Sequence, residues 1–271
     1  MSVSQPIAVF DSGIGGLTVV SALRRALPHE PIVYLGDTAR VPYGGKSRET
    51  IERSSEEIAR LLVGEGAKVV VVACNSASAL ALPRLREKLT VPVEGVIDPG
   101  VAAALAATRS GHVAVIGTKA TIGSGAYEKS LRAARPEIRV TSMACPLLVP
   151  LIEEGLLDDA VTDAVLERYL APLRETDVDT LVLGCTHYPL LAPAIARVVG
   201  PRIALVDSAA NCAAAVGRLL SARGLAAPAA AAGSLHLGFT DPPDRFLEVA
   251  GRALGLDTAS VVVRTVPPLG Q

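Results

Sequence analysis

Short apolar runs rich in β-branched residues recur along this chain, and amphipathic stretches separate them. The runs fall near residues 7–10, 32–35, 69–73, 93–97, 113–116, 139–143, 181–183, 203–206 and 235–239. Helical periodicity marks residues 50–63, 78–89 and 159–173. Near-continuous apolar strands are those buried on both faces, and their alternation with helices predicts an α/β fold with parallel sheets flanked by helices. Right-handed crossovers then gather the strand carboxyl ends on one edge, where open α/β sheets bind ligands.

The pattern is doubled. Residues 69–73 run into Cys74-Asn75-Ser76, and residues 181–184 run into Cys185-Thr186-His187, after which Pro189 opens a helical pattern. Each is a strand, a thiol, amide or hydroxyl groups, then a helix. This predicts two similar lobes, each a mostly parallel sheet flanked by helices, with the site in the cleft between them. The first lobe comprises residues 1–97 plus 208–271 and carries Asp11 and Cys74. The second comprises residues 98–207 and carries Glu153, Cys185 and His187. The alanine-rich tract 226–233 reads as a surface connector, and residues after 258 show no site chemistry.

Composition narrows the function classes. A chain of 271 residues, half of them hydrophobic and 20% charged, buries a sizeable core and is not extensively disordered. A net charge of −1, 3% aromatics and no Trp give no electrostatic or stacking reason to expect nucleic acid. No run approaches the roughly 20 apolar residues that span a bilayer, and MSVSQP lacks the features of a secretory signal. A cytoplasmic protein with no membrane partner is expected. The four cysteines form no CxxC pair, and disulfides are not expected in such a setting. Cys145 and Cys212 read as core residues.

The turns carry the chemistry. Phe10-Asp11-Ser12-Gly13-Ile14-Gly15-Gly16 resembles a dinucleotide loop, but Thr18 stands where its third glycine belongs. Asp11 either attracts an ammonium group or caps a helix. The loop from Asp37 to Gly45 is polar, and Tyr43 either roofs a pocket or packs on the surface. Cys74 at a strand-to-helix turn feels a field that favours thiolate, and Asn75 and Ser76 offer groups for a carboxylate. Thr118 and Thr121 either cap a helix or face a site. Glu153 and Glu154 read as ordinary helix-face glutamates, and His29, His112 and His236 as structural. His187, two residues from a thiol, is different, because it can move or stabilise that thiol's proton.

A metal centre built from Cys74, Cys185, His187 and Asp11 lacks the usual ligand spacing. A Cys–His hydrolase leaves Cys74 unexplained. Two thiols on opposite faces of one carbon do explain both: one removes a proton while the other supplies one, inverting a stereocentre without a cofactor. Asp11 is placed to assist Cys74, and His187 to assist Cys185.

The blocks DSGIGGLTV (from Asp11), GDTARVPYG (ending at Gly44), ACNSAS (Ala73 to Ser78) and GCTHYPLL (Gly184 to Leu191) resemble the glutamate racemases of the cofactor-independent aspartate/glutamate racemase superfamily. The resemblance runs from about Ile7 to Leu256. It implies interconversion of L- and D-glutamate, with D-glutamate supplied for peptidoglycan and hence for cell-wall biogenesis and cell shape. By position, Cys74 resembles the base acting on D-glutamate and Cys185 the base acting on L-glutamate. Asp11, His187 and Glu153 match assisting residues, with Glu154 the adjacent register. Asp11, Ser12, Tyr43 and Gly44 match substrate-contacting positions, as do Asn75, Ser76, Thr186 and His187. No cofactor and no metal are implied, and a homodimer is. Ser76 departs from the threonine of many members. Only six residues precede the first strand, so activation by a cell-wall precursor is not expected. The same machinery acting on aspartate or a related acid is one alternative. A non-catalytic amino-acid-binding or regulatory protein is another, and no basic patch supports a second role on a DNA enzyme.

Overall fold

The computed structural model describes residues 2–242, 251 and 262–265. Among the described residues, ten strands build two sheets. They are β1 (Ile7–Asp11), β2 (Ile32–Gly36), β3 (Val69–Val72), β4 (Val93–Gly95) and β5 (His112–Gly117), then β6 (Arg139–Ala144), β7 (Thr180–Gly184), β8 (Ala204–Asp207), β9 (Leu235–Phe239) and β10 (Val262–Thr265). The first sheet has the order β10-β9-β2-β1-β3-β4 and the second β6-β5-β7-β8. Every pairing is parallel, with Phe10 opposite both Leu35 and Val72, and Ile116 opposite Leu183. The α/β architecture of parallel sheets flanked by helices is therefore as the sequence predicts. Residues 243–250, 252–261 and 266–271 of the expected first lobe lie outside the described residues.

Successive strand residues point to opposite faces, and this alternation divides the core into layers. Ile7, Val9, Val69 and Val71 pack on one face of the first sheet, and Ala8, Phe10, Val70 and Val72 on the other. In the second sheet Ala114, Ile116, Leu181 and Leu183 join the same core as Ile7 and Val9, while Val113, Val115 and Val182 face away. One apolar layer is thus shared by both sheets.

Helices α1 (Leu17–Ala26), α2 (Arg48–Gly64), α3 (Asn75–Leu80) and α4 (Leu82–Lys88) accompany the first sheet, and α5 (Ile97–Ala107) follows β4. Next come α6 (Lys119–Ser124), α7 (Ala126–Ala134), α8 (Leu148–Glu153), α9 (Ala160–Leu170), α10 (Ala192–Val199) and α11 (Ser208–Ala222). The last of these packs on α1 and α5 and returns the chain from β8 to β9.

Prolines account for most differences from the sequence expectations. The helix expected over 78–89 is two, α3 and α4, broken at Ala81 with Pro83 in the first turn of the second. Helix α9 ends at Leu170, and a 3₁₀ turn (Ala171–Glu175) containing Pro172 follows. Pro189 opens a 3₁₀ turn (Tyr188–Leu191) rather than a regular helix. In each case proline has no N–H for the i−4 carbonyl. The fourth strand stops at Gly95, and Ile97 already begins α5. Strand β10 has no counterpart among the expected runs; it is a short edge strand carrying Arg264.

At the amino edge of the first sheet, Lys68 is fully buried, and its Nζ donates to Glu30 Oε2 at 2.5 Å and to the carbonyl of Val3 at 2.8 Å. Glu30 Oε1 accepts from the N–H of Ala227 at 2.7 Å. This pair ties four chain segments together, around Val3, Glu30, Lys68 and Ala227. Glu30→Ala leaves a buried ammonium without its counter-ion, so urea unfolding should show a loss of about 3–5 kcal/mol. Glu30→Leu combined with Lys68→Met should recover most of that loss. An unchanged midpoint for the single variant would contradict this role.

Candidate active site

Parallel pairing places the carboxyl ends of β1 and β3 on one edge of the first sheet and those of β5 and β7 on one edge of the second. The two edges meet around one cavity. Cys74, the residue before α3, and Cys185, directly after β7, both line it. Ser12, Asn75 and Ser76 complete the first sheet's side, with Val41, Pro42 and Gly44 from the following loop. The second sheet contributes Thr118, Val149, Thr186 and His187. The cavity has a volume of about 20 Å3, room for water but not for an amino acid.

Around Cys185 a short chain of polar groups forms. His187 Nδ1 lies 3.8 Å from Cys185 Sγ, and His187 Nε2 lies 3.1 Å from Glu153 Oε1. Burial alone would lower the imidazole's pKa. The bonds to Cys185 and Glu153 and the charge of Asp11 outweigh it and raise the pKa to about 10. His187 is therefore an imidazolium near neutrality and donates from both nitrogens. Of the two adjacent glutamates, it is Glu153 whose carboxylate meets the His187 ring.

On the other side, the Cys74 thiol donates to Ser12 Oγ at 3.6 Å. Burial pushes its pKa up to about 12, with the nearby Asp11 charge adding to the rise. The backbone N–H of Ala77 and the Ser12 hydroxyl pull it down by less. The expectation that the helix terminus favours a thiolate here is thus corrected: desolvation prevails over the local field.

Asp11 does not line the cavity. It is fully buried behind Ser12, where Oδ2 accepts from the Gly13 N–H at 3.0 Å and Oδ1 from Thr186 Oγ1 at 3.3 Å. Burial raises its pKa, against the His187 charge and these donors. The carboxylate also bonds the backbone of Gly16, the N-cap residue of α1, so Asp11 ties the turn to the helix start although it is not itself the cap residue. Thr18 Oγ1 also reaches the Thr186 carbonyl at 3.2 Å. A Cβ on Gly15 would collide with His187 Nδ1 and Thr186 Oγ1, so only glycine lets the two turns approach this closely.

Tyr43 neither roofs the cavity nor lies on the surface. It is buried, and its hydroxyl donates to Asp37 Oδ2 at 2.5 Å. Asp37 also accepts from Arg40 Nε at 2.7 Å and from Thr240 Oγ1 at 2.9 Å. This buried carboxylate fixes the loop that presents Val41, Pro42 and Gly44. Thr118 both caps α6 and lines the cavity; its Oγ1 lies 2.9 Å from Ser76 Oγ and 3.0 Å from Thr121 Oγ1. Cys145 and Cys212 are fully buried. His112 bonds Asp177 and Thr141 at the opposite end of the second sheet. Among the described residues, no group of three His, Cys, Asp or Glu is arranged to hold a metal ion.

The sequence singles out most of these residues, but not Val149, Gly15 or the Asp37 centre. No local signal distinguishes Val149 from other apolar helix residues. The tight glycine turn hints at Gly15, and the Asp-to-Gly loop hints at Asp37.

Nitrogen-15 NMR of labelled histidine should find the His187 ring doubly protonated up to about pH 10, and Glu153→Gln should lower that midpoint. A raised folded-state pKa means that this group's contribution to stability is complete below about pH 6.5 and is lost as pH rises through about 10. A neutral ring at pH 8 would contradict the arrangement.

Known proteins match both the sequence and the fold. The Asp/Glu/Hydantoin racemase family profile matches residues 17–216. The glutamate racemase of Geobacter metallireducens is 51% identical over 92% of each chain. The crystal structure of glutamate racemase isoform RacE1 from Bacillus anthracis superposes with a TM-score of 0.91, at 39% identity and 97% coverage of both chains. That of the Francisella tularensis glutamate racemase in complex with D-glutamate gives 0.88, at 35% identity and 98% coverage of both. With the family profile covering most of the sequence and relatives this similar along nearly its whole length, the chain belongs to the Asp/Glu/Hydantoin racemase family.

Proposed function

We propose that this protein is a glutamate racemase that interconverts L- and D-glutamate by proton transfer between two thiols and the α-carbon. One observation carries the reading: Cys74 and Cys185, from the strand ends of two different sheets, line the same cavity. A planar carbanion held between them is open to protonation from either face.

In the L-to-D direction, the Cys185 thiolate takes the α-proton and becomes a thiol. The carbanion then takes a proton from Cys74 on the opposite face, leaving the Cys74 thiolate. A Cys74 pKa raised to about 12 suits this order, since that group rests protonated and is the ready acid. Deprotonated in the reverse direction, it is a stronger base than an ordinary thiolate, by about 1.4 kcal/mol per pKa unit. His187, held by Glu153, serves Cys185, and Asp11 supports the raised pKa of Cys74.

Recognition of a dicarboxylate rests on Ser12, Asn75, Ser76, Thr118 and Thr186, with His187 the only positively charged group lining the cavity among the described residues. Tyr43 and Gly44 act through the loop they hold. The reading extends to two lobes, residues 1–97 plus 208–271 and residues 98–207. It also extends to a cytoplasmic homodimer that supplies D-glutamate for peptidoglycan.

Purified protein given L-glutamate without added cofactor should form D-glutamate, measured by chiral chromatography, until the enantiomers are equal. Aspartate should react far more slowly; equal or faster turnover of aspartate would replace the substrate assignment. Cys74→Ser and Cys185→Ser should each lower kcat at least about a hundredfold, and full activity in either would remove that thiol from the mechanism. Gly15→Ala, by displacing His187 and Thr186, should lower kcat/KM about a hundredfold. An unaffected Gly15→Ala enzyme would show that the two turns do not need this close approach.

A further inference from the structure

Asn75 lines the cavity, is almost fully buried, and has an amide nitrogen without a hydrogen-bond partner among the described residues. A buried unpaired N–H₂ costs about 1–3 kcal/mol unless something later pairs with it. What keeps it unpaired is the other end of the amide. The Tyr127 hydroxyl donates to Asn75 Oδ1 at 2.7 Å. The Ser208 side chain lies beside that hydroxyl. Because the phenol gives its one hydrogen to the amide, it holds the carbonyl end, and the nitrogen turns the other way.

The ring that carries this hydroxyl is held by close packing. A Cβ on Gly184 would lie 3.2 Å from Tyr127 Cε2, and one on Gly100 would lie 3.5 Å from Cε1. Burial raises the phenol's pKa, so the group stays a donor throughout the working pH range. Tyr127 belongs to α7, beside the second sheet, whereas Asn75 begins α3, beside the first. Ser208 starts α11, the helix that returns the chain between the sheets. The chain Ser208–Tyr127–Asn75 thus crosses from one layer to the other.

From this relay we infer that Tyr127 is a positioning residue for substrate: it fixes the Asn75 amide so that the nitrogen donates to a carboxylate oxygen of the bound glutamate. Without it the amide is free to rotate and present its oxygen, which repels a carboxylate. The inference rests on the racemase reading above.

Tyr127→Phe keeps the ring and removes only the hydroxyl. In both reaction directions it should raise KM for glutamate about five- to tenfold and change kcat less than about threefold. Asn75→Ala should raise KM further. Adding Tyr127→Phe to Asn75→Ala should then have no additional effect on KM, because the group being oriented is gone. An unchanged KM in Tyr127→Phe, or a rise that simply multiplies with that of Asn75→Ala, would overturn the inference while leaving racemisation intact. If Tyr127→Phe does not fold, Ser208→Ala enters the same cycle with an expected KM rise of about twofold, and full additivity there overturns the inference too. A wild-type protein that does not racemise glutamate would remove both this inference and the reading beneath it.

Discussion

Exclusion of water from the junction of two sheet edges governs the chemistry of this site. Asp11, Cys74 and His187 are all buried there, and burial is the largest influence on each. For Asp11 and Cys74 it prevails, and both hold protons more tightly than in water. For His187 it is overcome by the bonds to Cys185 and Glu153, so the ring keeps its charge. The same desolvation gives one thiol that holds its proton and another that sits beside a cation. Such an asymmetric pair is what transfer across a single carbon requires.

The scaffold supplies that pair through topology. A parallel sheet places the carboxyl ends of its strands on one edge, and turns there are free of ladder hydrogen bonds. Two such sheets sharing an apolar layer bring two edges together, and one interior strand of each delivers a thiol. Direct bonds then fix the separation. Thr186 donates to Asp11, Thr18 donates to the Thr186 carbonyl, and Gly15 leaves no gap against His187. The cavity that remains is small.

Much of this was legible in the sequence because it depends on local patterns. Strand–helix alternation and the repeated strand–thiol turn are short-range signals, and both located the strands, although the second thiol is followed by a 3₁₀ turn before a helix begins. Three features depend instead on partners distant in sequence. The direction of the Cys74 shift was misread, because a helix terminus is visible in the sequence while the extent of burial is not. Glu153 was separated from Glu154 only by the bond to His187. The bond between Tyr127 and Asn75 joins helices from different layers, and neither residue's neighbours announce the other. Strand β10 escaped for a related reason: a short edge strand is defined by the neighbour it pairs with, here β9.

The central claim is that two groups, not one, handle the α-proton. Initial-rate reaction of each glutamate enantiomer in D2O, with mass analysis of both substrate and product, tests it directly. Two thiols on opposite faces predict deuterium at the α-carbon of the newly formed enantiomer and none in the unreacted substrate. Deuterium appearing equally in recovered substrate and product at early times would mean that a single group serves both faces, and would contradict the account.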